Sequence, residues 1–275
     1  MKNKLTIGLP IYNEENNIVN LIKCLKNQTY QKFDIIISEN ASTDGTKKKL
    51  KKLLKKNKRI KIYNQKKNIG SHKNFQFVLN KAKTKYFMWL AADDIISVNF
   101  IKNNLNFLEK NKDYIGSTSK NIYDWDRKFS IYKDKRYVDF KLDQDLDSNI
   151  INFLKNIDYS HAVFFSIFKK KVLEKCSVVK QNFFAGDWAI MLFMIGNGKI
   201  NRDLKSNIIF GTSGISYKKN SYTQITNAKT PKFPLLKFSL YLLKFIFLKN
   251  MKFRSKIYML FWILKKNFLY FNKKL

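Results

Sequence analysis

The 275-residue sequence has little cysteine, proline, glycine or arginine. Cys24 and Cys176 are its two cysteines; they lie far apart and form no CxxC pattern, so they read as two reduced thiols in a core. Only 3 prolines and 9 glycines occur, which argues against a collagen-like, low-complexity or linker-dominated chain. Of the 54 basic residues only Arg59, Arg127, Arg136, Arg202 and Arg254 are arginines, against 20 acidic residues and a net charge of +34. Proteins that read bases or clamp phosphates bidentately lean on arginine. The charge therefore reads as composition bias, with attraction to anionic lipid, ahead of nucleic-acid binding. Lys, Asn, Ile and Phe abound, as codon use in an AT-rich genome would produce. No secretory signal opens the chain, since Met1-Lys2-Asn3-Lys4 runs directly into a strand-like segment, and a cytoplasmic location is expected. What is present suits a globular core: 45% hydrophobic and 15% aromatic residues, in a length that fits one large α/β domain plus an appendage, or at most two modest domains.

Strand and helix patterns alternate through the first 110 residues or so. Leu5 to Ile11 is an apolar run, followed by Asn13-Glu14-Glu15 as an N-cap with acidic residues in the first turn, then Ile18, Leu21, Ile22 and Leu25 at helical spacing. Phe33 to Ile37 predicts a second strand, Thr46 to about Lys56 a helix, and Ile60 to Tyr63 a third strand. Ser71 is placed to cap a helix bearing Phe75, Val78, Leu79 and Ala82. Tyr86 to Leu90 predicts a fourth strand, and Ser97 a cap for a helix ending near Glu109. Such alternation builds a parallel sheet with helices on both faces, an α/β architecture whose ligands bind beyond the carboxyl ends of the strands. The polar loops Tyr12-Asn13-Glu14, Glu39 to Asp44 and Asp93-Asp94 all fall at such ends and should face one crevice.

The second half is less regular. Tyr114 to Trp125, His161 to Phe168 and Asn207 to Phe210 look like strands, and Phe184 to Ile195 like a helix. Beyond Pro234, Leu235 to Leu248 and Ile257 to Phe271 are apolar and aromatic but interrupted by lysines. Neither supplies the roughly 20 uninterrupted apolar residues of a spanning helix. Amphipathic helices in a membrane interface, with lysines reaching to the headgroups, are the preferred reading over two helices packed on the domain.

Asp93-Asp94 is the sharpest chemical feature. Adjacent carboxylates after an apolar strand repel and are costly to desolvate unless a cation offsets them. A hard divalent ion takes carboxylate oxygen and completes its shell with phosphate oxygen and water. The plainer reading is a solvated pair at a helix start. Four blocks weigh against the plainer reading: Leu9-Pro10-Ile11-Tyr12-Asn13-Glu14, Ile37-Ser38-Glu39-Asn40-Ala41-Ser42-Thr43-Asp44-Gly45-Thr46, Asn68-Ile69-Gly70 and Trp89-Leu90-Ala91-Ala92-Asp93-Asp94. In order and spacing they resemble the family 2 glycosyltransferases of the GT-A fold, over residues 1 to about 216, leaving 217–275 as a basic amphipathic tail.

The resemblance implies inverting transfer of a sugar from a nucleotide-diphosphate donor, UDP-linked by preference. The acceptor would be a glycan or lipid-linked hydroxyl, as in cell-surface polysaccharide or lipopolysaccharide synthesis at the inner face of the cytoplasmic membrane. It implies that Pro10, Tyr12 and Glu14 line the nucleotide pocket, that Asp93 meets the ribose, and that Asp94 holds Mn²⁺ or Mg²⁺. Glu39-Asn40 stands where relatives commonly carry Asp-Asp, leaving open which of the two meets the base. Ala91 replaces the first acid of the family's Asp-x-Asp signature, so metal ligation rests on fewer carboxylates. Asp187, in Gly186-Asp187-Trp188, matches the acidic position before a helix and is the candidate base for the acceptor hydroxyl; an N-cap role is the alternative.

Some relatives place a histidine after the last strand, but Gly211-Thr212-Ser213-Gly214 has none, which turns attention to Lys218 or Lys219 beyond it. His72, beside the expected nucleotide loop, and His161, at the start of a strand that could line the acceptor side, are the only histidines. A structural role is the preferred reading of each, and the two cannot make a zinc site without further ligands. Two rival functions are weaker. A nucleotidyltransferase needs a glycine-rich loop that Pro10 to Glu14 lacks, and a non-catalytic basic binding protein would not need three polar loops at strand ends.

Overall fold

The structure, a computed structural model, describes residues 3–53, 59–123, 136–138, 140–181, 183–211, 214, 221–226 and 229–272. Its first half follows the alternation: β1 (Leu5–Ile11), α1 (Ile18–Lys26), β2 (Phe33–Glu39), α2 (Thr46–Leu53), β3 (Ile60–Asn64), α3 (Ser71–Lys81), β4 (Tyr86–Trp89), a two-residue β5 (Ile95–Ile96) and α4 (Phe100–Lys110). The second half contributes β6 (Tyr114–Tyr123), β7 (Arg136–Val138), α5 (Leu146–Lys155), α6 (His161–Phe164), β8 (Ile167–Lys169), α7 (Lys170–Leu173), α8 (Gly186–Ile195), β9 (Lys199–Phe210), α9 (Ser221–Thr226), α10 (Leu236–Leu248) and α11 (Phe253–Asn272).

Among the described residues nine strands form one sheet in the order β3-β2-β1-β4-β8-β6-β9-β5, with β7 beside β6. The pairs β3/β2, β2/β1, β1/β4 and β6/β9 are parallel, so β1 to β4, β6 and β9 run one way and β5, β7 and β8 the other. Burial explains the parallel block. Every residue of β1 except Pro10 is buried, and β4 is buried throughout, as expected of strands covered on both faces. Gly8 permits the close fit on one face: a Cβ there would lie 2.7 Å from both Val78 Cγ2 of α3 and Phe87 Cζ of β4. On α1 the inward positions Ile18, Leu21, Ile22 and Leu25 make the stripe that the spacing predicts. The strand order runs outward from β1 in both directions, to β2 and to β4, so the crevice at their carboxyl ends is the expected ligand site.

Several local expectations are corrected. His161 to Phe168 is not one strand: α6 and the three-residue β8 share it, because a short buried apolar run fits either period. Asn13 does not cap α1. It lies in a left-handed turn (φ 54°), and the helix begins later, behind Asn17. Ser97 caps nothing either; its hydroxyl accepts from the Asn207 N–H at 3.0 Å, tying β5 to β9, while α4 starts behind Asn99. Gly70 rather than Ser71 precedes the first turn of α3. The last predicted strand is longer than expected, Lys199–Phe210, because its partner β6 is equally extended. The ends expected at Lys56 and Trp125 lie outside the described residues.

Candidate active site

Asp93 and Asp94 sit in the turn between β4 and β5, and β5 pairs antiparallel with the end of β9. That pairing brings Gly211, the residue after β9, against the turn. Its N–H donates to Asp94 Oδ1 at 3.1 Å, and a Cβ on Gly211 would fall 2.5 Å from Asp93 Cβ and from the Asp93 carbonyl oxygen. Asp94 is almost wholly buried at 4% exposure, and its Oδ2 has no hydrogen-bond partner. Burial, then repulsion from Asp93 and Glu14, pushes its carboxyl well above the usual range, opposed by the Gly211 N–H. A buried carboxylate oxygen with no donor, beside two more carboxylates, is a place where a cation would relieve a real cost.

The loops after β1 and β2 are bound to each other. Asn13 N–H donates to Ser42 Oγ at 3.0 Å and its Oδ1 accepts from Thr43 N–H at 2.9 Å; Glu14 N–H donates to Thr46 Oγ1 at 2.8 Å. Asp44 accepts from the Glu15 and Thr46 N–H groups, and Glu15 Oε2 accepts from Gly45 N–H at 2.9 Å. Much of the polar sequence that marked these loops thus serves to shape them. Pro10, Tyr12 and Glu14 reach the cleft wall as expected. Asn40 also lines the cleft, and its side chain holds the third block, accepting from Ile69 N–H and donating to Asn68 Oδ1, both at 2.9 Å. Glu39 lies below the cleft wall: Oε1 accepts from Ser42 N–H at 2.6 Å, and Oε2 is buried without a partner.

The cleft, about 660 Å³, also reaches the second half of the chain, where Asp187, His161 and Phe210 line it together with Asp93 and Asp94. Asp187 occupies the first turn of α8, behind Ala185 in the left-handed region (φ 62°). Burial raises its carboxyl above the usual range, and His161 partly opposes the rise. Burial in turn lowers the His161 imidazole, against the pull of Asp187 and Asp158. His161 therefore belongs to the site rather than only to the core. The sequence offered a place on the acceptor side only as the lesser reading for His161, since its proximity to Asp187 depends on α6 packing beside α8.

His72 lines the cleft as well, bonded to the Val179 backbone, with Nε2 buried and without a partner. Trp89 forms the floor, stacked on Phe164 (centroids 4.8 Å, planes 3° apart) and donating from Nε1 to the Phe75 carbonyl at 2.9 Å. The non-glycine residues with positive φ among those described, Asn13, Ala41 and Ala185, all lie in loops around this cleft, a common place for strained backbone. Lys218 and Lys219 lie outside the described residues. No group of three or more His, Cys, Asp or Glu among the described residues has the geometry of a closed metal site.

Comparison with known proteins agrees with this fold. The profile of Glycosyl transferase family 2 matches residues 6–176. An uncharacterized glycosyltransferase of Haemophilus influenzae is 38% identical over 100 residues, covering 36% of this chain and 31% of that protein. A teichoic acid poly(glycerol phosphate) polymerase of Staphylococcus epidermidis is 37% identical over 93 residues, 34% of this chain and 13% of that one. The chain thus spans less than a third of the length of these relatives. Among solved structures, residues 1–349 of S. aureus TarS superpose with a TM-score of 0.71 at 17% identity, over 97% of this chain and 72% of that one. Mannosyltransferase PcManGT from Pyrobaculum calidifontis, in complex with GDP-Man and Mn²⁺, gives a TM-score of 0.62 at 13% identity, over 98% and 72%. With its fold, its four sequence blocks and a profile match over most of its length, the chain belongs to glycosyl transferase family 2.

Proposed function

We propose that this chain transfers a sugar from a nucleotide-diphosphate donor, UDP-linked by preference, to a hydroxyl of a glycan or lipid-linked acceptor, with inversion at the anomeric carbon. The observation that carries the reading is the pair of acids facing one cleft: Asp94, with a buried unpartnered oxygen, and Asp187, held close to His161. TarS has also been solved with UDP-GlcNAc, which supports a donor of this class. The teichoic acid polymerase relative supports a place in cell-surface polymer synthesis.

The residues fit a divalent ion held by few protein ligands. Asp94 Oδ2 is the oxygen available to Mn²⁺ or Mg²⁺, and donor phosphate oxygens and water would complete the shell of so hard an ion. Such an ion supplies positive charge against the diphosphate as it leaves. Pro10, Tyr12, Glu14 and Asn40 form the nucleotide wall, and Asp93, braced by Gly211, faces the ribose. Glu39 supports that wall from beneath by fixing the loop at Ser42. Asp187 accepts the proton of the acceptor hydroxyl as that oxygen bonds to the anomeric carbon and the bond from that carbon to the diphosphate breaks. A carboxylate raised by burial is a stronger base than one in water, which suits the step.

Thermal unfolding with UDP-, GDP- and dTDP-sugars, each with and without Mn²⁺, tests the donor half. One nucleotide series should raise the melting temperature more with metal than without. If none does, the reading fails. Turnover by Asp187→Asn tests the acceptor half: donor-induced stabilisation should persist while transfer falls by about 10²–10⁴.

A further inference from the structure

The last two helices bury one face and expose another of the same character. α10 and α11 pack on each other and on the domain. Phe238 meets Trp188 of α8 edge-on at 5.6 Å and Trp262 at 5.9 Å. Trp262 Nε1 donates to the Leu154 carbonyl of α5 at 2.9 Å, and Lys266 pairs with Asp158 at 2.7 Å. These contacts take up one side of α11, where Ser255, Met259, Trp262 and Ile263 are buried. On the other side Phe253, Ile257, Phe261, Leu264, Phe268 and Phe271 recur every three or four residues, a second apolar stripe turned to solvent. Phe261, Leu264 and Phe268 are 68%, 69% and 68% exposed. α10 repeats the pattern with Leu236, Leu240 and Phe247, the last 81% exposed. Phe233 and Phe271, both half-exposed, stack at 5.5 Å, so the two stripes adjoin at one end of the hairpin.

We propose that this outer face of the α10–α11 hairpin docks on an anionic lipid bilayer, lying in the headgroup region without crossing it. Charge identifies the partner. From residue 204 to the end the sequence has 15 Lys or Arg and no Asp or Glu. Lys237, Lys244, Arg254 and Lys265 are exposed on the helices that carry the stripes. Two copies meeting through this face would oppose cation to cation with no acid between them. A bilayer with anionic headgroups answers both features at once, taking up the apolar side chains while the lysines reach its charge. No described helix is long and apolar enough to cross a membrane. The buried stripe meets Trp188, the neighbour of Asp187, so the docked surface is fixed to the helix that bears the candidate base.

The test is co-sedimentation of the 275-residue chain with phosphatidylcholine vesicles, alone or containing phosphatidylglycerol. Binding should be at least about tenfold tighter to the anionic vesicles and should weaken in high salt. The exposed triple variant F261S/L264S/F268S should lose about tenfold or more, with an unchanged near-ultraviolet circular dichroism spectrum. The double variant K237E/K244E, which leaves every apolar contact in place, should lose only the preference for anionic lipid. Equal binding to both vesicle types, or a triple variant that binds as the parent does, overturns the proposal. So does a concentration-dependent dimer in ultracentrifugation that the triple variant converts to monomer, because the face would then belong to a second copy. None of these readouts requires turnover, so they stand or fall separately from the transferase reading.

Discussion

Replacing Asp94 by Asn should make the ligand-free protein more stable while removing its response to metal. Asp94 Oδ1 accepts from Gly211 N–H and Oδ2 is buried with no donor, while Asp93 and Glu14 add repulsion. Asparagine is nearly isosteric, keeps an oxygen for Gly211, and turns the orphaned position into an N–H donor facing carboxylates. A buried unsatisfied polar group costs about 1–3 kcal/mol, more when charged, and the substitution returns a cost of that order. In a domain of this size each kcal/mol moves the melting temperature by roughly 2–4 °C, so the ligand-free variant should melt roughly 2–12 °C above the parent. With Mn²⁺ and a UDP-sugar at about a hundred times the dissociation constant, the parent should gain about 2.7 kcal/mol. The variant should lose the metal-dependent part of that gain, so the order of the two melting curves narrows or inverts on addition of ligand. Differential scanning fluorimetry with and without chelator reads both effects. A ligand-free variant that melts below the parent, or one that keeps the full Mn²⁺ increment, refutes the assignment of Asp94 as an unpaid charge waiting for a cation.

Four further outcomes are expected. His161→Asn removes the positive partner that holds the Asp187 carboxyl down, so the acid limb of the kcat–pH profile should move to higher pH; a merely structural loss would lower kcat without moving the limb. Gly211→Ala sets a methyl against Asp93 at 2.5 Å and should weaken donor binding by about tenfold or more in calorimetry while leaving the far-ultraviolet spectrum intact. Gly8→Ala forces a Cβ to within 2.7 Å of Val78 and Phe87 and should cost about 1–3 kcal/mol in denaturant unfolding. Glu109, held down to about 2 by hydrogen bonds from Lys4, Lys85 and Tyr86, gives stability that is present above pH 4.5 and lost toward pH 2; Glu109→Gln should flatten that part of the acid unfolding curve and cost about 1 kcal/mol at neutral pH.

The parallel half of the fold is legible because its signals are local. β1, β2 and β4 are short, largely apolar runs and β3 an alternating one; an amphipathic helix follows each of β1 to β3 directly and β4 after the two-residue β5, and the polar residues between them mark the carboxyl ends. Position in the sheet then delivers the crevice with no further information. The antiparallel half is harder to read, since β8 is three residues long and β6 carries the buried polar residues Ser117, Thr118, Ser119 and Asn121. A strand that buries serine and asparagine has no apolar alternation to show. Those side chains are satisfied by partners distant in sequence, as when Ser119 Oγ meets Ser206 Oγ at 2.7 Å and accepts from Asn104 Nδ2 at 2.8 Å.

The same distinction divides the site. Asp93, Asp94 and the β1 and β2 loops lie at strand ends and could be placed from local pattern. Asp187 is placed by resemblance alone, His161 only as a strand residue that could line the acceptor side, and Gly211 not at all, since each owes its position to a contact between segments far apart in the chain. The tail shows the converse. Sequence set membrane contact and packing on the domain against each other as alternatives, because an apolar helix shows how much it can bury but not where. In the structure Trp262 and Met259 pack inward while Phe261 and Leu264, their neighbours along the helix, face out. An α-helix that is apolar on two faces needs two partners. The domain is one of them, and the outward phenylalanines are what remains for the bilayer.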